Sequence, residues 1–446
     1  MKTLIISLLC IPVIFHSQQI VHQDPEIVKY VSQVNTDSLK AHINTLVNFG
    51  TRHTMSSTAD SKRGIGAARK WVLKKFKDYA KHTGGRMEVF IQNQTIQPDG
   101  KRIDRPTDLG NVIAIIHGTD PNDKRMFMMS GHLDSRVSDV MNAKDNAPGA
   151  NDDGSGVGAL IESARILSTS QFPASIVLVA FSGEEQGLLG SKMLAEKAKS
   201  EGWQLEALLN NDMISNNLSS DTNLINTYQL RVFSEGLPQY ELDKKAQEIR
   251  KFGLENDGDS RQLARYIKEI GERYVDHLQI KLIYRNDRFL RGGDHTPFVE
   301  KGFSAVRLTE FNENFNHQHQ DIRKENGVQY GDLPEFMDFE YFKKNVSVNI
   351  AVLANLAKSP SKPENVKIEV SKLTNFTDLS WEKPRLGEIT GYYVLMRETD
   401  ASVWQKKIFT KENAIKLPYS KDNYFFAIQA VNASGNESII VLPKVK

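Results

Sequence analysis

Cysteine is almost missing from this chain: Cys10 is the single one in 446 residues. It falls in the first apolar segment, so the remainder offers no disulfide, no thiolate nucleophile and no cysteine-held zinc. Any metal must be bound by His, Asp and Glu. Charge of one sign is also missing. The 57 Lys and Arg against 55 Asp and Glu leave a formal charge of +2, which gives no electrostatic reason to expect nucleic acid or an anionic membrane as a partner. No apolar run is long enough to span a bilayer comfortably, and no repeat or low-complexity tract interrupts the pattern. What is present, 39% hydrophobic and 25% charged residues, is the make-up of a globular protein with a sizeable core. The length suits two domains and a leader.

The leader reads as residues 1–18. Lys2 supplies a positive start, Leu4 to Phe15 an apolar core, and Ser17 a cleavage position. The expectation is export, to a secreted, periplasmic or cell-surface location. Residues 19–35 form a polar lead-in. From 36 to 80 the pattern is helical, with Ile65, Trp71, Val72 and Phe76 on one face and lysines opposite. Short apolar runs follow at Val112–Ile116, Met126–Met129, Ile176–Phe181 and Ala207–Leu209, each bounded by polar residues or glycine, as strands covered on both faces should be. Between the second and third runs, Val157, Leu160, Ile161, Ala164 and Leu167 make a helical stripe. Alternation of this kind predicts an α/β domain over 36–358, a mainly parallel mixed sheet flanked by helices. Residues 216–290 are polar and predict an irregular insertion over one face of that sheet.

At 359–363 a Pro/Ser/Lys linker changes the register of the chain, and 364–446 reads as a small all-β sandwich. Trp381, Tyr392, Val394, Tyr424, Phe426 and Ile428 alternate with outward residues. The stretches "LSW" and "YFFAIQAVNASGNES" resemble a fibronectin type III module, which implies a spacer or a contact to a surface or polymer.

The chemistry collects where strands end. "MFMMSGHLDS" stops at His132 and Asp134, "IVLVAFSGEEQG" at Glu184 and Glu185, and "EALLNNDMIS" at Asp212. In "PGANDDGSGVG", Asp152 and Asp153 open the helix after the first of these strands. Ligands of open α/β sheets gather outside the carboxyl ends of the strands. His and carboxylate together suit zinc, and two ions a few ångströms apart need a carboxylate between them. Other patterns fall away. "DDGSGVG" is not the nucleophile elbow G-x-S-x-G, and "LENDGDS" (254–260) lacks the twelve-residue calcium pattern. His53 reads as a loop histidine.

The order H-x-D, N-D-D-G-S-G, G-E-E, N-D and a late His resembles the co-catalytic dizinc aminopeptidase family, which includes the glutaminyl cyclases, over roughly residues 36–358. His132 and Asp152 lie 20 residues apart, and Glu185 and Asp212 lie 27 apart, spacings similar to those of its secreted bacterial aminopeptidases. The resemblance implies two zinc ions bridged by Asp152, one completed by His132 and Asp212, the other by Glu185 and a late His. Asp134 would orient His132, and Glu184 would take a proton from the attacking water and pass it to the leaving amine. It further implies a cis peptide bond at Asp152–Asp153, with Asp153 supporting the turn. For the last ligand, the family's His-x-x-x-Asp pattern fits His317 with Asp321, and His319 is the alternative. Asp294 and His295, in "GGDHTPF", would be supports near the metals.

The function implied is that of a secreted zinc exopeptidase acting on peptides with a free N-terminus. Two alternatives share the scaffold. One is glutaminyl cyclisation. The other is a carboxypeptidase, which would need a cationic pocket from residues such as Arg231, Arg288 or Arg291. A receptor that has lost its ligands is the non-catalytic alternative, and here every ligand position is filled.

Overall fold

The protein's structure, a computed structural model, describes residues 22–445. The expected leader and Cys10 lie outside the described residues. Eight strands form one sheet: β1 (Met87–Ile96), β2 (Thr107–Ile116), β3 (Arg125–His132), β4 (Ser175–Phe181), β5 (Gln204–Asn211), β6 (Gln229–Phe233), β7 (Gln279–Ile283) and β8 (Ala305–Glu310). Their order is β1-β2-β4-β3-β5-β8-β6-β7. The central four, β4-β3-β5-β8, run parallel to one another, and antiparallel strands lie outside them. The four apolar runs of the sequence are the cores of β2 to β5.

Both faces are covered, as the runs require. In β4, Ile176, Leu178 and Ala180 enter one core while Val177, Val179 and Phe181 enter the other. The first core holds α1 (Pro25–Ser32), α2 (Thr36–Val47), α3 (Ile65–Ala80) and α4 (Gly154–Leu167), and the second holds α5 (Leu189–Ser200). The stripe predicted for α4 is wholly buried. The helical reading of 36–80 is too long. Residues 48–64 leave the helix between α2 and α3, turning at Gly50 and Gly64, whose φ values of 69° and 90° suit glycine. The polar lead-in also contains structure. Asp24 caps α1 by accepting from the Glu26 amide, Pro25 fits the first turn, and Ile27 and Tyr30 are buried.

The region 216–290 is not irregular. Besides β6 and β7 it forms α6 (Gln239–Phe252) and α7 (Asp259–Tyr274), and it extends the sheet by two strands. Leu263, Ile267, Ile270 and Tyr274 give α7 a buried face at helical spacing among many charged residues. A short helix, α8 (Thr296–Glu300), precedes β8, and a hairpin of β9 (Arg323–Glu325) and β10 (Val328–Tyr330) precedes the buried α9 (Phe339–Lys358).

Beyond α9 lie β11 (Glu364–Ile368), β12 (Thr377–Glu382), β13 (Gly391–Glu398), β14 (Lys406–Thr410), β15 (Ala414–Leu417), β16 (Tyr424–Val431) and β17 (Lys444–Val445). They make sheets of order β15-β12-β11-β17 and β14-β13-β16 that close on a core of Val366, Trp381, Tyr392, Val394, Phe426 and Ile428. The preceding linker is fixed in place: Arg125 donates to the carbonyls of Ser359 and Pro360 at 2.9 and 3.1 Å.

Candidate metal centre

Strand register brings the expected ligands level. His132 pairs with Phe181, so the turn after β4 carries Glu184 and Glu185 past the end of β3. Ser130 pairs with Asn210, which sets Asp212 beside His132. Asp152 enters from the start of α4. The peptide bond between Asp152 and Asp153 is cis. Asp153 supports the turn, accepting from the amides of His132 at 2.8 Å and Gly156 at 2.8 Å. Asp152 is held from the other side, its amide donating to the buried Asp332 at 2.7 Å.

Two groups converge here: His132, Asp152 and Asp212, and Asp152, Glu185 and His319. Asp152 belongs to both through different oxygens. Oδ1 lies 3.1 Å from His132 Nε2, and Oδ2 lies 2.9 Å from His319 Nε2. Glu185 Oε1 is 2.7 Å from His319 Nε2, yet it is buried without a properly directed hydrogen bond. Donor atoms of imidazole and carboxylate gathered this closely fit zinc.

The last histidine differs from the expectation. His319, not His317, reaches the cluster. It has left-handed backbone, φ 53°, and its Nε2 lies 2.9 Å from Asp152 Oδ2. His317 instead stacks on Phe336, ring centroids 3.6 Å apart, and burial lowers its pKa to about 4. Asp321, its supposed partner, accepts from Ser138. Gln318, between the histidines, donates to Asp152 Oδ2 at 3.1 Å.

Asp134 also works differently from the expected orienting carboxylate. His132 Nδ1 lies 3.0 Å from the Asp134 carbonyl oxygen, which requires an N–H there and leaves Nε2 as the donor atom for a metal. The Asp134 carboxylate instead accepts from the amides of Gly183 at 2.9 Å and Glu185 at 3.1 Å, pinning the turn that carries Glu184. Asp294 and His295 are buried close by, His295 Nε2 lying 2.8 Å from the Asn286 carbonyl. His53 is a buried support whose Nε2 lies 3.1 Å from Gln186 of the same turn.

The electrostatics follow from crowding. Burial opposes the charge on His319, but Glu185 and Asp152 outweigh it and raise its pKa to about 9. The same contest, with Asp152 and Asp212 as partners, raises His132 well above the ordinary imidazole range. Glu184 borders the cleft and is half-buried by surface, yet it is closely surrounded by protein. That desolvation, opposed by His132 and reinforced by Glu185 and Asp212, pushes its carboxyl well above the usual value.

Several contributors carry no motif. Arg52, fully buried, donates to the carbonyls of Leu133 and Gly149 at 2.7 and 2.8 Å and so clasps the loops bearing Asp134 and Asp152. Arg307 lies 3.1 Å from Asp212 Oδ2. A cleft of about 380 Å³ opens over the cluster, and Arg102, Arg136, Leu188, Arg288, Leu290 and Arg291 line it besides the acids and histidines. Of the arginines considered for a cationic pocket, Arg231 is absent from this lining and pairs with Glu313 at 2.6 Å.

Known proteins resemble this chain in sequence and in fold. The family model for "Peptidase family M28" matches residues 111–331. A protein of Leptosphaeria maculans named "Probable zinc metalloprotease" is 42% identical over 94% of this chain and 97% of its own length. A like-named protein of Pyricularia oryzae is 40% identical over 94% of this chain and 84% of its own. Among solved structures, the LapA aminopeptidase of Legionella pneumophila shares the fold with a TM-score of 0.53 at 17% identity, covering 77% of this chain and 78% of that one. A leucine aminopeptidase precursor of Bacteroides thetaiotaomicron gives 0.50 at 17% identity, covering 75% and 98%. With the ligand set assembled at the strand ends and relatives matching nearly end to end, the chain belongs to peptidase family M28 and is a zinc metalloprotease.

Proposed function

We propose that this metalloprotease is an exported two-zinc aminopeptidase. His132 and Asp212 would hold one ion, Glu185 and His319 the other, and Asp152 both. The observation that carries the reading is Asp152 facing two donor groups with separate oxygens, at 3.1 and 2.9 Å. Zinc at such a site would acidify water and polarise a peptide carbonyl. The residues supply the rest. Glu184 lines the cleft beside the ligands, and among the described residues no hydrogen bond to its carboxylate competes, so it can take a proton from the attacking water and return it to the departing amine. Asp134 fixes the turn that aims it. The cleft volume of about 380 Å³ suits the end of a peptide rather than a long stretch of chain. Export rests on the leader 1–18, and a fibronectin type III identity for 364–446 rests on its strand pattern and sandwich.

A second reading has one observation in its favour. Arg102, Arg136 and Arg291 line the cleft beside Arg288, which Glu313 already pairs at 2.6 Å, and these cations favour substrates carrying a carboxylate close to the scissile bond, as a carboxypeptidase requires. One panel separates these. Aminoacyl-nitroanilides with free and blocked N-termini would be tested beside N-blocked peptides with free C-termini and peptides beginning with glutamine. Wild type and Glu184→Gln would be compared with and without chelator. Cleavage of free-amine substrates alone, lost with chelator and in the variant, supports the aminopeptidase. Cleavage of the N-blocked peptides would replace it with the carboxypeptidase, and ammonia release from glutamine peptides without cleavage would replace it with the cyclase.

A further inference from the structure

The cleft wall formed by residues 284–293 connects β7 to the segment before α8. It presents Arg288, Leu290, Arg291 and Gly292 to the cleft. Leu290 is fully exposed and has left-handed backbone, φ 56°, a conformation leucine seldom holds unaided. Something must fix this wall. Three anchors belong to the peptidase domain: Arg307 donates to Asp287 at 2.8 Å, Arg288 donates to Glu313 at 2.6 Å, and the Asn286 carbonyl lies 2.8 Å from His295 Nε2. A further anchor lies at Tyr284, the first residue after β7, and its partner belongs to the C-terminal sandwich. The Tyr284 hydroxyl donates to the carbonyl oxygen of Ser402 at 2.5 Å, in the turn between β13 and β14 of the C-terminal sandwich. Arg265 Nε donates to that same carbonyl at 2.8 Å and to the Tyr284 hydroxyl at 3.0 Å. The Arg261 guanidinium lies over the Tyr284 ring, 4.3 Å from its centroid.

The contact is built in rather than incidental. Asp257 accepts from Arg265 of α7 at 2.7 Å and from Arg397 of β13 at 2.6 Å, and all three side chains are at most 3% exposed. Arg397 also donates to the Ala401 carbonyl at 2.8 Å, which fixes the turn that carries Ser402. A chain of hydrogen bonds therefore runs from β13 through Ser402 to Tyr284 and into the cleft wall. A second contact, Lys407 with Glu437 and Arg273 with Glu437, joins the sandwich to α7 without touching Tyr284.

We propose that the C-terminal sandwich is a positioning element of the active site, holding the substrate-facing wall 284–293 through the Ser402–Tyr284 contact. It would thereby set how tightly substrate is held, not only space or tether the enzyme. The consequence for substrate rests on the peptidase reading. The consequence for the wall does not.

The test compares full-length wild type with Tyr284→Phe, which keeps the ring and removes the hydroxyl, and with Lys407→Gln, which loosens the other contact. Backbone hydrogen exchange is followed peptide by peptide, and KM and kcat are measured on the best substrate. In Tyr284→Phe, exchange over 284–293 should rise about three- to tenfold, because the hydroxyl's bonds to Ser402 and Arg265 are lost while Arg265 keeps its own bond to the Ser402 carbonyl. KM should rise by a similar factor, with kcat within about twofold. Lys407→Gln should leave both unchanged. Unaltered exchange in Tyr284→Phe, a rise spread over the whole chain, an equal rise over 284–293 in Lys407→Gln, or faster exchange without any change in KM would each overturn the proposal. If no peptide is turned over, the peptidase reading fails, and the exchange comparison still decides whether the sandwich holds the wall.

Discussion

Arg307 stands between Asp212 and Asp287, 3.1 Å from one carboxylate and 2.8 Å from the other, with no surface of its own exposed. It joins a metal-facing residue to the cleft wall, and neither acid has another cation as close. Burial disfavours the guanidinium charge, but the two carboxylates outweigh it and raise its pKa beyond any accessible value. Arg307→Met should therefore strand two buried carboxylates and destabilise the ion-free protein by about 3–5 kcal/mol. Because zinc would neutralise Asp212, the loss should be smaller with zinc present. Denaturant titration with and without the metal checks both halves.

The two late histidines should behave as different residues. His319→Ala should remove one equivalent of bound zinc and nearly all activity, since it takes a donor atom from the Asp152–Glu185 group. His317→Ala should keep the full zinc content and lose only the stack on Phe336, about 0.5–1.5 kcal/mol of stability. Metal analysis of the purified variants decides it. Loss of one equivalent in His317→Ala, with full content in His319→Ala, would return the assignment to His317.

Why the spacing misleads at this point is physical. The His-x-x-x-Asp pattern selects His317 because sequence carries no record of backbone handedness. His319 holds φ 53° and reaches the Asp152–Glu185 group, while His317 stacks on Phe336. The clustering of His132, Asp152, Glu185 and Asp212 was readable because each follows a buried strand or begins the helix after one, and parallel pairing brings those ends to one edge. Asp134 was readable as a support but not in its manner, since its backbone carbonyl and its carboxylate divide the task. Arg52, Arg307 and Asp332 left no signal: each acts through contacts with residues distant in sequence. The stripe of α7, at 263, 267, 270 and 274, was present but diluted by charge, and so a sheet extension read as an irregular insertion.

Zinc binding should strengthen as pH rises through the neutral range. In the ion-free protein His319 holds its proton to about 9, above the ordinary 6.5, because Glu185 and Asp152 overcome its burial. A raised folded value contributes stability that is complete below pH 6.5 and lost as pH rises toward 9. A metal must displace that proton. The ion-free protein should therefore lose stability between pH 6.5 and 9 while apparent zinc affinity grows, so the gain in Tm on adding zinc widens across that window. Thermal unfolding at matched free zinc from pH 6 to 9 measures it. A zinc-induced gain that is flat with pH would exclude His319 as a ligand that must first lose a proton.

Asp257 tests how firmly the sandwich and the peptidase domain form one unit. It lies fully buried between Arg265 and Arg397, two cations drawn from different domains. Asp257→Asn keeps the shape and removes the charge, leaving two guanidinium groups facing each other in a desolvated interface. Removing one partner of a buried ionic group costs about 3–5 kcal/mol, because the remaining charge is uncompensated. Pairing Asp257→Asn with Arg397→Met removes one of the two stranded cations and should recover part of that loss. If the domains unfold together, the single variant lowers one cooperative transition. If they unfold independently, it splits the transition, and the sandwich melts first while the zinc-bound domain remains. Calorimetry of the holoenzyme distinguishes the two, and a single lowered transition is the expected result.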